Sequence, residues 1–203
     1  MPLRRLSLWA LALTLLLPLP SRATSVIPPD FNTLVNSADY VVRGVVKSVN
    51  SEWREKDGHK YIATKVEVEV RETIRGTPPA QVVLDMVGGR VGEDELVVTG
   101  APQFQVGDED ILFVQGNGRQ VYPLVAIMHG RYPIFHDTKT GQDLVVRSNG
   151  MPLYSEQDVA LPMTTLSATK QANSAAKPMT AAAFVQKIRN AGPVTVARPA
   201  IQN

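Results

Sequence analysis

Residues 61–71, YIATKVEVEVR, constrain the fold more than any other stretch of the chain. Ile62, Thr64, Val66, Val68 and Val70 stand at alternate positions, with Lys65, Glu67, Glu69 and Arg71 between them. A helix turning every 3.6 residues would scatter these apolar groups round its circumference. An extended chain puts all of them on one face and the charges on the other. The run therefore predicts a long strand with one dry face and one wet face. The dry face needs a second layer against it, since burying each valine stabilises by about 1.5–3 kcal/mol.

Further short strands follow at steady spacing. Residues 40–47, YVVRGVVK, are β-branched enough to read as a strand with much of both faces covered. Gly44 in its middle marks a bend or a close backbone approach. Residues 51–60 are polar and contain the turn pair Asp57-Gly58, which reads as a hairpin tip. Strands are expected at 81–87, 95–98, 111–114, 121–125, 132–135 and 144–146. Pro123 and Pro133 push two of them to edges or bulges, and a turn is expected at 137–141. Few helices interrupt this series, so the expected fold is mainly β: a small antiparallel OB-like barrel or sandwich.

Helices are expected only at the two ends. Asp30 can cap a short helix with Phe31, Leu34 and Val35 on one face. Thr180 can cap a second, residues 181–191, with Phe184, Val185 and Ile188 on one stripe. Lys187 and Arg189 suit the negative end of that helix, and Gly192-Pro193 ends it. Its stripe is expected to dock on the strands, the alternative being a detachable segment that binds a partner. Residues 161–178, small and polar, read as a linker.

Residues 1–23 read as an export signal. Arg4 and Arg5 precede an apolar stretch from Leu6 to Leu17, too short to span a membrane, and Pro18 and Pro20 break it. Ser21-Arg22-Ala23 supplies small residues for cleavage after Ala23. Ser7 stands where a twin-arginine motif prefers an apolar residue, which favours general secretion. The expected organisation is a signal peptide at 1–23, a β domain at 24–160, a linker at 161–178, and a C-terminal helix and tail at 179–203. The expected location is extracytoplasmic, periplasmic or secreted, with no membrane span left after cleavage.

Loss of Arg4, Arg5 and Arg22 from 21 basic residues leaves 18 against 19 acidic ones, a net charge of −1. A near-neutral exported domain lacks the positive field of a nucleic-acid binder. The chain has no cysteine, so disulfides, lipid attachment to a cysteine and thiolate chemistry are excluded.

Three segments occur in an order that resembles a group of exported bacterial proteins: residues 37–46, SADYVVRGVV; residues 71–76, RETIRG; and residues 104–113, FQVGDEDILF. More remotely they resemble the OB-type barrel of netrin-like domains and tissue inhibitors of metalloproteinases, over residues 30–135. The resemblance implies a barrel and suggests a secreted protease as partner. The inhibitors' amino-terminal cysteine is missing, and the expected first residue is Thr24, so their zinc-directed chemistry does not carry over. A shared barrel does not carry a shared function.

Catalytic patterns are scarce. No serine lies in a hydrolase elbow, and His59, His129 and His136 lack zinc-protease spacing. The only cluster worth weighing for a metal-assisted hydrolase is His129, His136 and Asp137, meeting across a turn. The acidic runs 93–95 and 108–110 read as solvated loops without calcium-loop spacing. Gly88-Gly89-Arg90-Val91-Gly92 lacks the lysine and following helix of a phosphate loop, and turn chemistry accounts for it. The chain is therefore expected to be a non-enzymatic binding module without catalytic residues, metal or cofactor. An enzyme and a structural envelope component are the alternatives. The candidate binding residues are Trp53, Arg54 and Arg90, on loops 51–60 and 88–94, with a secreted or envelope protein as partner. A large aromatic on a polar loop anchors contacts, unless it folds back onto its own domain.

Overall fold

The computed structural model describes residues 26–163 and 177–192. The expected signal segment 1–23, most of the expected linker and the final tail lie outside the described residues. No helix among the described residues is long and apolar enough to cross a membrane.

The first helix, α1 (Phe31–Ser37), starts where Asp30 accepts the Thr33 amide at 2.7 Å, and it buries Phe31, Leu34 and Val35. The strands then run β1 (Tyr40–Lys56), β2 (His59–Gly76), β3 (Val82–Val87), β4 (Gly89–Val91), β5 (Asp94–Leu96), β6 (Glu109–Val114), β7 (Arg131–Asp137) and β8 (Gln142–Val145). Helix α2 (Ala181–Asn190) closes the described chain. Six strands form one sheet in the order β3-β2-β1-β6-β7-β8, and β4 and β5 pair separately. Every paired neighbour is antiparallel.

The mainly β, antiparallel expectation holds, but the ladders describe an open sheet and not a closed barrel. The reason lies at the two edges. Outside β3, Asn117 Nδ2 donates to the Val83 carbonyl at 2.8 Å and Tyr122 Oη to the Val87 carbonyl at 3.1 Å. Outside β8, the Val145 amide donates to the Met179 carbonyl at 2.9 Å. Both edges thus spend backbone groups on other segments, which also guards them against pairing with foreign strands.

The sheet carries an apolar layer on each face. Val41, Ile111, Phe113, Tyr132 and Val145 face α1 and α2. Tyr40, Val42, Val46, Val66, Val68, Leu84, Leu112 and Val114 form a second cluster with Phe104 and Leu124. Adjacent residues of β1 and β6 therefore point into different cores, so these strands read as unbroken apolar runs. Gly44 permits the close approach expected of it. A Cβ there would lie 2.6 Å from Val68 Cγ1 and 2.8 Å from the Glu69 carbonyl oxygen, beside a register shift between Arg43 and Gly44.

Helix α2 docks on the sheet. Thr180 caps it through the Ala183 amide at 3.2 Å. The Phe184 ring lies 5.0 Å from Tyr132, 6.0 Å from Phe31 and 6.1 Å from Phe113, centre to centre. Such aromatic groups add to the stabilisation from area burial alone. Met179 just before it is buried as well, although the residue before that was expected to end a linker.

Three strands differ from expectation. Pro133 was expected to put its strand at an edge or bulge, but β7 lies between β6 and β8. β1 continues to Lys56, so residues 51–56 are paired backbone and only Asp57-Gly58, with φ of 53° and 77°, turns the hairpin. Residues 121–125 form no strand; Leu124 alone bridges Val114. Pro123 supplies no amide, and its carbonyl takes the Gln115 amide at 3.1 Å.

Candidate binding site at the outer end of hairpin β1–β2

Beyond Val45, which pairs with Glu109, β1 has no β6 partner, and hairpin β1–β2 projects past β6, flanked on its other side by β3 only as far as Ala63. The short hairpin β4–β5 lies against it. Gly89, at φ 126°, makes the contact: a Cβ there would meet Thr64 Oγ1 at 2.2 Å and Ser51 Oγ at 2.4 Å. The Gly88 amide donates to the Ile62 carbonyl at 2.8 Å, and Thr64 Oγ1 donates to the Gly88 carbonyl at 2.6 Å. The glycine pair is therefore a backbone seat and not a turn; within 88–92 only Gly92, at φ 62°, turns the chain, between β4 and β5. No residue pattern marks β4, because Gly89-Arg90-Val91 has no alternation to read.

This seating brings the two candidate loops together. Trp53, Arg54, Glu55 and Lys60 of the β1–β2 hairpin and Asp94 of β5 line one recess of about 680 Å³. Trp53 is 49% exposed and sits across from Ile62. Half of the indole thus stays available while the strand fixes its direction. Arg54 is less free than its sequence position suggests. It donates through Nη1 to Asp85 at 2.6 Å and through Nε to Glu52 at 2.9 Å. The hydrogen bond from Arg54 is the main cause holding the Glu52 carboxyl below its usual range, with Lys65 adding to it. Arg54 also borders a second recess of about 520 Å³, with Lys56, His59, Tyr61, Asp85 and Arg119. Arg90 lines a third, of about 210 Å³, with Glu95, Phe104 and Tyr122; its Nη2 donates to Glu95 at 2.6 Å.

The histidines do not converge. His129 is buried in a 3-10 turn, Ile127–Gly130, before β7, and its Nδ1 has no hydrogen-bond partner. Burial, then the positive charge of Arg147, pushes its pKa down to about 4. His136 is exposed near the other end of β7, its Nδ1 3.0 Å from Asp143. At about 3.3 Å per residue, the intervening extended chain sets the two imidazoles roughly 20 Å apart. Asp137 serves its own turn, accepting from Thr140 Oγ1 at 2.7 Å and the Lys139 amide at 3.0 Å. No group of three metal-ligating side chains occurs among the described residues. The meeting of His129, His136 and Asp137 across a turn is thus overturned by the strand between them.

One acidic run also departs from expectation. Glu93, Asp94 and Glu95 are exposed, as a solvated loop would be. Asp110 is fully buried. Arg131 holds it with Nε at 2.8 Å, holds Asp108 with Nη2 at 2.7 Å, and donates Nη1 to the Gln103 carbonyl. The guanidinium carbon lies 4.3 Å from the centre of the Phe104 ring. Burial raises the Asp110 pKa to about 6, against the pull of Arg131. Asp110 directly precedes the doubly buried run 111–114, and that position was the one available signal of its burial.

A scan against protein-family models and a search of curated proteins return no match for this chain.

Proposed function

We propose that the chain is an exported, non-enzymatic module that binds a protein partner at the outer end of hairpin β1–β2, with β4–β5 as a second contact. One observation carries this reading: a half-exposed tryptophan, held on a paired strand, shares a recess with an acid from a separate hairpin. Rigid aromatic anchors ringed by polar groups are the usual centres of protein recognition. Lys60 and Asp94 give that ring both signs of charge. Export rests on the signal pattern of residues 1–23, and the protease class of the partner rests on the resemblance to netrin-like domains. That kinship is part of the same proposal, with an opened sheet in place of the barrel.

The test is site-specific photo-cross-linking of the mature chain to secreted proteases, with the cross-linker in place of Glu55, which lines the same recess and leaves Trp53 intact, and, as control, at the exposed Val106. A saturable adduct at 55 is expected, competed by unlabelled protein and not by its Trp53→Ala variant, whose melting temperature stays within about 2 °C of wild type. Equal labelling at 55 and 106 would overturn the proposal.

A further inference from the structure

Arg147 is the largest fully buried side chain of the described structure. Its Nη2 donates to the Leu161 carbonyl, while Nε and Nη1 have no partner. Buried charges are normally paired, and an uncompensated guanidinium in an interior is costly. All 19 acidic side chains lie between Asp30 and Asp158, within the described residues, and no ion pair joins any of them to Arg147. Asp158 is felt only at a distance. Its Oδ2 accepts the Tyr154 and Ser155 amides at 2.8 and 2.9 Å. No acidic side chain of this chain neutralises Arg147.

Two more polar groups near this charge are buried and unpartnered: the Tyr132 hydroxyl and His129 Nδ1. Val146 and Ser148, on either side of Arg147, bond the carbonyls of Pro133 and Arg131, on either side of Tyr132, and the Ser148 hydroxyl also reaches the Met128 carbonyl beside His129. Burial keeps the phenol protonated and the imidazole neutral, so neither supplies a negative charge. Each can donate a hydrogen bond, the imidazole as its Nδ1–H tautomer. The cluster is thus a positive charge among donors that lack acceptors. Unsatisfied buried groups of this kind point to an occupant. Arg147 is fully buried, and a site at that depth suits an occupant of atomic size.

We propose that Arg147, Tyr132 and His129 form an internal site for a small monovalent anion of the halide class, closed by the backbone at Leu161. The anion accepts from Arg147 Nε and Nη1 and from the Tyr132 hydroxyl. Entry requires Leu161 to move aside, because its carbonyl holds Arg147 Nη2.

The experiment is a thermal melt of the full chain in sodium chloride or bromide against sodium gluconate at matched ionic strength, together with anomalous diffraction from bromide-grown crystals. A ligand bound only by the folded state raises the melting temperature by about 3–5 °C for each tenfold excess over its dissociation constant. That halide-specific rise is expected for the wild type, with an anomalous peak beside Arg147 Nε and Nη1. Arg147→Met should melt at or above wild type in gluconate and ignore halide. Tyr132→Phe, which keeps the core volume, should need at least about tenfold more halide for the same rise. Identical melts in gluconate and halide, or water alone beside Arg147, would overturn the proposal. A peak with flat melts, an adventitious ion only, would overturn it equally.

Discussion

Arg131 is the point at which the electrostatics of this fold can be tested most directly. Replacing it with Met keeps much of the aliphatic stem and removes the cation that hydrogen-bonds Asp110. That carboxyl already titrates at about 6 instead of 3.8, because it is buried. At neutral pH its ionised form therefore costs the folded state about 3 kcal/mol even with Arg131 in place. Breaking a buried pair and leaving one charge behind costs about 3–5 kcal/mol. The Gln103 carbonyl loses a donor as well, adding about 1 kcal/mol. The sign of the pH dependence follows from the raised pKa. The folded state binds the proton more tightly than the unfolded chain, so the Asp110 contribution becomes more favourable as pH falls from above 6 towards 4, and is lost again as pH rises. Without Arg131 that window moves upward. Urea unfolding should show Arg131→Met about 3–5 kcal/mol less stable than wild type at pH 8, with much of the deficit gone at pH 5. Adding Asp110→Leu should restore most of the loss at pH 8, since an apolar pair can replace a buried ionic one. Equal losses at pH 5 and pH 8, or no recovery in the double variant, would refute this account.

Two predictions concern the packing. Gly44→Val should lower stability by about 1–3 kcal/mol or more by urea titration, because the added atoms meet Val68 and the β2 backbone, which have no room to yield. Phe184→Ala should cost about 3–5 kcal/mol in the same assay and bring a single cooperative transition to lower urea, which would show that α2 unfolds with the sheet.

The parts of the fold that could be read from residues are those where burial leaves a period. β2 alternates because one of its faces is dry along most of its length, and 111–114 runs apolar because both of its faces are. The caps at Asp30 and Thr180 were legible for a local reason: each serves an amide three residues away. The outer half of β1 was not legible. Ser51, Glu52, Trp53 and Arg54 are placed by backbone pairing to 61–64, which any side chain permits. Sheet closure was illegible too, because it turns on whether Asn117, Tyr122 and Met179 occupy the two edges, and those residues lie far along the chain from the strands they cover. Of the candidate site, Trp53 is half exposed as the sequence suggested, but it stands on the paired strand β1 and not on a loop. Arg90 is bound to Glu95, its cross-strand partner in a hairpin that left no pattern, and Arg54 to Asp85, far along the chain, which nothing local pairs with it. Arg147 showed no signal at all, since an arginine beside a predicted strand normally faces water.

Residues 55–60 send no side chain into either apolar cluster, and the ladder between β1 and β2 sets their position. Folding asks little of their identity beyond the Asp57-Gly58 turn. Diverging copies of this chain are then free to trade these side chains as their targets change, while Val41, Gly44 and Phe113 stay as they are. Substitutions crowded into that six-residue cap would trace the face under pressure from a partner, and the same cap could accept a grafted recognition sequence.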